Sequence, residues 1–221
     1  MRVAALYDVH GNLPALEAVL AEVAALELDA IVCGGDVAAG PFPRECVELL
    51  HARGAVFVRG NGDRDLSAWL LEQLPVDAQA FLEGHPHARV LGDVLYCHGS
   101  PRRDDEILTK VSPPERLRSA LEGVEQELVV CGHTHVQFDT SAGGPRLVNA
   151  GSVGSPYEGR RGAFWALVDG LAVELRRTPY AVEAAAVAIR ATAYPEAEQL
   201  ATWLLEPVDP DEASAYFESV A

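Results

Sequence analysis

Polar residues suited to metal binding or acid–base chemistry recur in five short segments of the chain. The segments are Asp8-Val9-His10, Gly35-Asp36, Gly60-Asn61-Gly62-Asp63, His98-Gly99 and Gly132-His133-Thr134-His135. Taken singly, each of these patterns is common in surface loops. Taken together, and leaving Asp63 aside, they offer two Asp, one Asn and four His with no cysteine. This donor set suits Mn, Fe or Zn rather than a structural Cys-rich zinc site.

The number of candidate ligands indicates more than one ion. The candidates are Asp8, His10, Asp36, Asn61, His98, His133 and His135. Seven ligands exceed what one tetrahedral ion would use. Two octahedral or five-coordinate ions that share a bridging carboxylate would use all of them, and such a pair is the standard apparatus for in-line displacement at phosphorus. A protein that binds or stores a single ion is the alternative.

The segment from Gly60 to Arg64 has a competing interpretation, because Asn-Gly is the commonest signal for a two-residue hairpin turn. A hairpin needs a second alternating strand close by. The apolar residues between Leu66 and Leu74 instead have helical spacing. The turn therefore lacks a partner strand, and Asn61 and Asp63 become candidates for chemistry.

Short apolar runs precede these segments and predict the elements that position them. Strands are predicted at 2–7, 29–33 and 55–58, with one helix that has Pro14 in its first turn and Asn12 as its cap, and a second helix at 43–53. This alternation is typical of a parallel sheet covered by helices. Ligands bind at the carboxyl ends of the strands of such sheets, so the polar segments should converge on one site.

The rest of the chain predicts a helical excursion at 64–84 and strands at 94–97 and 128–131. A hairpin is predicted from 164–168 and 171–175, because Asp169-Gly170 lies between two alternating runs. Two Ala-rich helices, at about 181–192 and 195–205, are expected to close the chain.

The composition excludes several classes of protein. With 221 residues, 49% of them hydrophobic and 23% charged, the chain is typical of a globular protein. Its formal charge of −16 disfavours binding to long nucleic acids, which depends on Lys and Arg. A small phosphorylated substrate remains compatible with this charge, because divalent ions invert the field within a site.

The cysteines and the apolar runs indicate where in the cell the protein is expected. Cys33, Cys46, Cys97 and Cys131 form no C-x-x-C pair, which favours buried free thiols in a reducing compartment. No window approaches the roughly 20 apolar residues that span a bilayer. We therefore expect a cytoplasmic protein without a membrane partner.

In their order along the chain, D-x-H, G-D, G-N-x-D, H-G and G-H-T-H resemble the motifs of the calcineurin-like metallophosphoesterase superfamily, in particular its small bacterial phosphodiesterase branch. The resemblance spans Val3 to about Ser155. The segment Asn149-Ala150-Gly151-Ser152 is also similar to the Asn-Pro-Gly-Ser that follows G-H-T-H in that branch, with Ala150 in place of proline.

The resemblance implies an α/β fold, a four-layer α/β/β/α metallophosphoesterase-like sandwich. On this basis we expect a metallophosphoesterase domain over residues 1–178 and a helical C-terminal extension over 179–221. The extension would pack on that domain or form the contact of a homodimer.

The resemblance also assigns the ligands and the reaction. One ion would be held by Asp8, His10, Asp36 and His135. The second would be held by Asp36, Asn61, His98 and His133, with Asp36 as the bridge. The catalytic side chains are expected to be Asp36, Asn61, Asp63 and His98.

The implied protein is a dinuclear metal-dependent phosphoesterase that cleaves phosphodiester or phosphoanhydride bonds by attack of a metal-bridging hydroxide. We expect two divalent transition-metal ions, with Mn²⁺ first and Fe, Zn, Ni or Co as alternatives. A non-catalytic interaction scaffold of the same fold and a protein serine/threonine phosphatase are the competing hypotheses.

Position 62 departs from the pattern of the superfamily. Most members have a His there, which is proposed to protonate the leaving group, and the small bacterial branch often has Cys. A missing general acid costs roughly 10² to 10⁴ in rate for an alkoxide leaving group and little for a stable anion. Gly62 therefore favours anhydride or activated ester substrates, such as dinucleoside polyphosphates, over alkyl phosphates. The alternative is that Asp63 or a metal-bound water donates the proton.

Arginines near these segments are candidates for substrate binding, because the guanidinium fork suits phosphate. Arg102 is the first candidate and Arg64 the second, with Arg103 beside them. The alternative is a surface charge paired to a nearby acid such as Asp104 or Asp105.

Overall fold

A computed structural model describes all residues of the chain, 1–221. Its first sheet has five strands in the order β10-β9-β1-β2-β3. These strands are β1 (Arg2–Leu6), β2 (Ala30–Cys33), β3 (Val56–Phe57), β9 (Ala163–Asp169) and β10 (Ala172–Thr178). The first three are parallel, whereas β9 runs antiparallel to β1 and forms a hairpin with β10. The predicted hairpin at Asp169-Gly170 is confirmed.

The second sheet also has five strands, in the order β4-β5-β6-β8-β7. They are β4 (Ala88–Leu91), β5 (Val94–Cys97), β6 (Leu128–Cys131), β7 (Phe138–Ser141) and β8 (Arg146–Asn149). Strands β5, β6 and β8 are parallel, and the two edge strands pair antiparallel with their neighbours.

Helices cover the outer faces of both sheets. Helix α1 (Leu13–Val23) connects β1 to β2, and α2 (Pro43–Ala52) connects β2 to β3. Three shorter helices follow β3, namely α3 (Asn61–Arg64), α4 (Ala68–Gln73) and α5 (Val76–Glu83), and α6 (Pro114–Ala120) connects β5 to β6 of the second sheet. The predicted cap is present, since the Asn12 side chain accepts a hydrogen bond from the Ala15 N–H.

Three apolar clusters hold these layers together. The two sheets face each other through Ala5 and Val32 on one side and Tyr96 and Val130 on the other. The other face of the first sheet packs on α1 and α2, and the other face of the second sheet packs on α6. The expected four-layer α/β/β/α order is therefore confirmed.

The strands that precede the polar segments are divided between two sheets rather than forming the one parallel sheet that local alternation favours. Strands β4, β7 and β8 were not predicted. For β4 a signal exists, because Gly92-Asp93 lies between β4 and β5 and Gly92 has φ of +59°. Local periodicity does not encode which distant strand is the neighbour, so it could not separate the sheets.

The C-terminal region contains α7 (Val182–Arg190), α8 (Ala197–Leu205) and α9 (Pro210–Val220). Helices α7 and α8 pack on each other through Ala186, Ile189 and Leu200. The prediction that two helices close the chain is wrong, because α9 follows them. The sequence does contain a helix-start signal for α9. The Asp209 side chain caps the helix by accepting hydrogen bonds from backbone N–H groups of the first turn, and Pro210 occupies the first helical position.

The four cysteines are buried and free, as predicted. None of the helices combines the length and the apolar character needed to cross a membrane.

Candidate metal centre

Loops at the carboxyl ends of strands from both sheets meet at one place. The loops after β1, β2 and β3 of the first sheet meet those after β5 and β6 of the second sheet. They form two clusters whose potential ligand atoms lie within 4.8 Å of one another in each cluster. The first cluster is Asp8, His10 and His135, and the second cluster is Asp36, His98 and His133.

The two clusters adjoin through their carboxylates. Asp36 Oδ2 lies 3.4 Å from His98 Nε2 of the second cluster and 4.0 Å from His10 Nε2 of the first. Asp8 Oδ1 lies 3.4 Å from His135 Nε2 and 3.7 Å from His98 Nε2. Asp36 therefore lies between the clusters, where a bridging carboxylate has to be.

Three of the four histidines in these clusters are oriented by backbone carbonyls. His10 Nδ1 lies 3.1 Å from the Ala39 carbonyl, His98 Nδ1 lies 2.8 Å from the Gly34 carbonyl, and His135 Nδ1 lies 2.7 Å from the Ser155 carbonyl. A carbonyl oxygen only accepts, so each Nδ1 carries the proton and donates it. In the neutral ring the Nε2 lone pair is thereby left facing the centre, as in histidines that bind metals.

Several buried polar atoms of the candidate ligands have no hydrogen-bond partner. They are Asp8 Oδ1, Asn61 Oδ1 and His98 Nε2. An unpaired buried polar atom costs free energy, and native proteins rarely tolerate one without a reason. Oxygen and imidazole nitrogen are the donors that divalent transition metals take. The residues present therefore fit a pair of such ions.

The backbone is strained at the same residues. Only five residues other than glycine have positive φ, and all belong to the two clusters: Asp8, His10, Asp36, His133 and His135, with φ between 45° and 69°. This conformation costs a side-chain-bearing residue roughly 1–3 kcal/mol and persists only where the surroundings enforce it. Hydrogen bonds between the loops enforce it here, such as that from His10 N–H to the Asp36 carbonyl.

Glycine is required where loops approach the two carboxylates. A Cβ at Gly60 would lie 2.1 Å from Asp36 Oδ1, and a Cβ at Gly132 would lie 2.5 Å from Asp8 Oδ2. Gly62 is less confined, because its Cβ would lie 3.0 Å from Asp36 Oδ1. The Gly62 N–H donates to that oxygen at 2.7 Å. Residue 62 therefore lies against the Asp36 carboxylate, as its place in the sequence suggests.

Asp63 has a different place from the one expected of a catalytic side chain. It is 1% exposed, and its two oxygens accept hydrogen bonds from the backbone N–H groups of Asp36, Val37 and Gly60 at 2.8–3.0 Å. Burial, and then the charge of Asp36, raise the pKa of Asp63 to about 7, against the lowering effect of those N–H groups. Both oxygens of this side chain are engaged by N–H donors, and through them it joins the β2 and β3 loops.

The segment Asn149–Ser152 forms hydrogen bonds with the loops that carry the candidate ligands. The Asn149 amide donates to the Gly132 carbonyl at 2.6 Å and to Thr134 Oγ1 at 3.1 Å. Ser152 Oγ donates to the Asp8 carbonyl at 2.7 Å. These side chains hold the loops after β6 and β1, a role that residue type and spacing alone did not reveal.

The charges of the two clusters shift the pKa values of their members in the metal-free chain. Burial alone would lower the pKa of His98, but Asp36 and Asp8 outweigh it and raise that pKa to about 10. Burial, and then His98, lower the pKa of His133 to about 4. Burial opposes ionisation of Asp36, yet the neighbouring His98 keeps its pKa well below the usual range. Metal binding must therefore displace a proton from the second cluster.

The arginines predicted to bind substrate are held by acids. Arg64 pairs with Asp104 at 2.5 Å and with Asp65 at 2.8 Å. Arg102 pairs with Glu106 at 2.5 Å, and its guanidinium also donates to the Ser119 carbonyl at 3.1 Å. The structure thus brings six of the seven predicted metal ligands together, and Asn61 lies between Gly60 and Gly62, which both adjoin Asp36. The role of these arginines in substrate binding stays a prediction.

Comparison with known proteins matches this chain to a family of phosphoesterases. Residues 1–169 match the family model of the calcineurin-like phosphoesterase superfamily domain. The chain is similar to a metallophosphoesterase from Sphaerobacter thermophilus, with 30% identity and a TM-score of 0.79, over 94% of this chain and 100% of that one. It is 25% identical to protein MJ0912 of Methanocaldococcus jannaschii over 83% of this chain and 89% of that protein.

A more distant likeness is limited to the fold. The phosphoesterase YfcE from E. coli is 23% identical, with a TM-score of 0.54, over 80% of this chain and 93% of that one. The Sphaerobacter match leaves little of this chain uncovered, so it extends into the C-terminal helices.

Proposed function

The chain belongs to the calcineurin-like phosphoesterase superfamily, and from this membership we propose that it is a dinuclear metal-dependent phosphoesterase that hydrolyses phosphodiester or phosphoanhydride bonds. The observation that carries the proposal is the junction of the two clusters. There Asp8 Oδ1 and His98 Nε2, one from each cluster, are buried without a hydrogen-bond partner, as is Asn61 Oδ1 on the adjoining loop.

The side chains have distinct parts in this proposal. Asp8, His10 and His135 would hold one ion, while Asn61, His98 and His133 would hold the other, with Asp36 shared. Bound divalent ions supply Lewis-acid stabilisation of charge on the phosphoryl oxygens and lower the pKa of water at the site. Hydrogen bonds from Nδ1 to backbone carbonyls keep the histidine ring nitrogens aimed at the centre, and Asp63 keeps the loop that carries Asn61 against the loop that carries Asp36.

Good leaving groups are the proposed substrates, because residue 62 offers no proton. Gly62 lies against Asp36 but contributes only its backbone N–H, and the N–H bonds accepted by Asp63 argue against that carboxylate as the donor. Anhydrides and aryl esters leave as stable anions and need no general acid. Dinucleoside polyphosphates are natural compounds of this kind, and Mn²⁺ is the ion we propose first.

A substrate panel tests the proposal. Phosphomonoesters, phosphodiesters and dinucleoside polyphosphates are assayed with added Mn²⁺, and metal content is measured on the same preparation. We expect turnover of anhydrides or aryl diesters in the wild-type chain and a loss of orders of magnitude in Asn61→Ala. The control is His51→Ala, an exposed histidine in the last turn of α2 that belongs to neither cluster.

Three results would contradict the proposal. Full loading with two ions and no turnover of any ester or anhydride would favour an interaction scaffold. Undiminished turnover by Asn61→Ala would mean that the second cluster is misassigned. Preference for phosphoserine or phosphothreonine peptides over all small esters would favour the protein phosphatase hypothesis.

A further inference from the structure

A cavity of about 200 Å³ lies directly beside the first cluster. His10 and His135 form one wall of it. The opposite side comes from the C-terminal region, with Tyr194 before α8 and Leu200 and Trp203 on α8 itself. The C-terminal helices thus complete a compartment that adjoins the site where the proposed function places the phosphoryl group.

Aromatic rings line this compartment in defined orientations. The Tyr157 ring stacks on the His135 ring, with centroids 5.0 Å apart and an angle of 24° between the planes. Trp203 meets Tyr157 edge to face, at 5.7 Å and 90°. Tyr194 is held in the same way by Trp69, at 5.2 Å and 63°. Rigid aromatic walls of this kind bind planar rings by stacking and edge-to-face contact.

The charges around the compartment disfavour phosphate within it. No Lys or Arg is among its lining residues, and Glu196 is its one carboxylate. The Glu196 carboxylate accepts a hydrogen bond from the Tyr194 hydroxyl at 3.2 Å. Glu196 and Gln199 are exposed at the rim, where they can hydrogen-bond to the edge of a ring. A neutral group therefore suits this compartment, while the anionic part of an ester belongs at the Asp/His clusters.

We propose that this compartment is a subsite for the planar aromatic group of the substrate, a nucleobase or another aryl ring joined to the phosphoryl group. The proposal rests on the proposed function for the position of the phosphoryl group. The cavity holds one ring system, so it selects one aromatic group of an ester or anhydride and not the polyphosphate chain.

A second cavity, of about 440 Å³, provides a matched control. It shares Tyr157, Gln199 and Trp203 with the compartment, but Tyr216 and Phe217 of α9 line only this outer cavity. Tyr216 is 66% exposed, so its replacement removes an aromatic ring from the C-terminal helices without altering the wall beside His135.

The test compares ligands that differ only in the ring. The probes are the phosphonate analogues of AMP, ribose 5-phosphate and phenyl phosphate, in which a methylene group replaces the ester oxygen so that none can be hydrolysed. Calorimetric titration of the full chain with Mn²⁺ gives their dissociation constants. For the wild type we expect the AMP analogue to bind roughly tenfold more tightly than the ribose analogue, as is typical of base stacking on aromatic side chains.

Substitutions of the lining residues test whether the preference for the AMP analogue arises in this compartment. Trp203→Leu should reduce the ratio between the AMP and ribose analogues to within about twofold, Trp203→Phe should keep most of it, and Tyr216→Leu should leave it unchanged. If the phenyl analogue binds as tightly as the AMP analogue, any planar ring is accepted; if it binds like the ribose analogue, the subsite selects a nucleobase. Both results support the subsite.

Other results would overturn it. Equal affinity of the wild type for the AMP and ribose analogues means that no ring is recognised. An unchanged ratio in Trp203→Leu, or an equal loss in Tyr216→Leu, means that the ring lies elsewhere. Because binding is measured without turnover, a chain that hydrolyses nothing yet keeps the ring preference would refute the proposed function and leave the subsite standing.

Discussion

Replacing Gly62 by His tests the link between the missing general acid and substrate choice. Residue 62 lies in the short helix α3, whose backbone any residue can adopt. The added Cβ would lie 3.0 Å from Asp36 Oδ1 and 3.2 Å from its Cγ, so it needs a shift of only a few tenths of an ångström. The imidazole would then stand beside the carboxylate proposed to bridge the ions, close to the position of the leaving group.

The expected effect depends on the leaving group. Gly62→His should raise kcat/KM for alkyl diesters by roughly 10²-fold, the lower end of the range for general-acid catalysis, because the new ring has no second residue to orient it. Aryl diesters and anhydrides should change by less than about threefold, since their leaving groups need no proton.

The assay is a series of phosphodiesters with leaving groups of increasing pKa. Log(kcat/KM) plotted against that pKa should fall steeply in the wild type and less steeply in Gly62→His. Gly62→Ala is the control, because it introduces the same Cβ without an acid and should keep the wild-type slope. Gly60→Ala adds a Cβ only 2.1 Å from Asp36 Oδ1 and should abolish metal binding.

A flat dependence in the wild type, with phosphorus–oxygen cleavage shown to be rate-limiting, would refute the reasoning. It would mean that another group already donates the proton. An equal gain for aryl and alkyl esters in Gly62→His would also refute it, because a proton donor acts selectively on poor leaving groups.

Three further predictions concern the metals and the loops. Elemental analysis of reconstituted protein should give about two transition-metal ions per chain and about one in Asn61→Ala; one ion in the wild type would contradict the dinuclear assignment. Asp63→Asn should lower the free energy of unfolding in urea by about 1–3 kcal/mol, because an amide NH₂ would face a backbone N–H, whereas the exposed Asp65→Asn should change it little. In the metal-free chain, the pKa of His98 is raised above the value near 6.5 of histidine in the unfolded chain. Its contribution to the free energy of unfolding is therefore fully present below pH 6.5 and is lost as the pH rises towards 10. The pKa of His133 is lowered to about 4, so this residue lowers the free energy of unfolding as the pH falls below 6.5. Together the two histidines predict that the metal-free chain is most stable near pH 6.5. A maximum of stability above pH 9 in urea titrations would contradict this prediction.

Residue type and spacing determined which side chains are candidate metal ligands. The seven candidate ligands lie directly after apolar runs, and both the runs and the polar residues that end them are local features of the chain. The helix that Asn12 caps and the hairpin at Asp169-Gly170 were predictable for the same reason, because each depends on a few neighbouring residues. The family resemblance followed from the order of these local motifs.

The tertiary structure decided what depends on distant neighbours. Strand periodicity is the same in either sheet, so only packing separates β5 and β6 from the first sheet. Three backbone N–H groups bind Asp63 and make it a link between loops, which its residue type alone does not show, while its part in catalysis stays a prediction. The aromatic compartment joins residues near His10 with residues near Trp203. No local pattern relates segments so far apart, because their contact arises from the packing of whole layers.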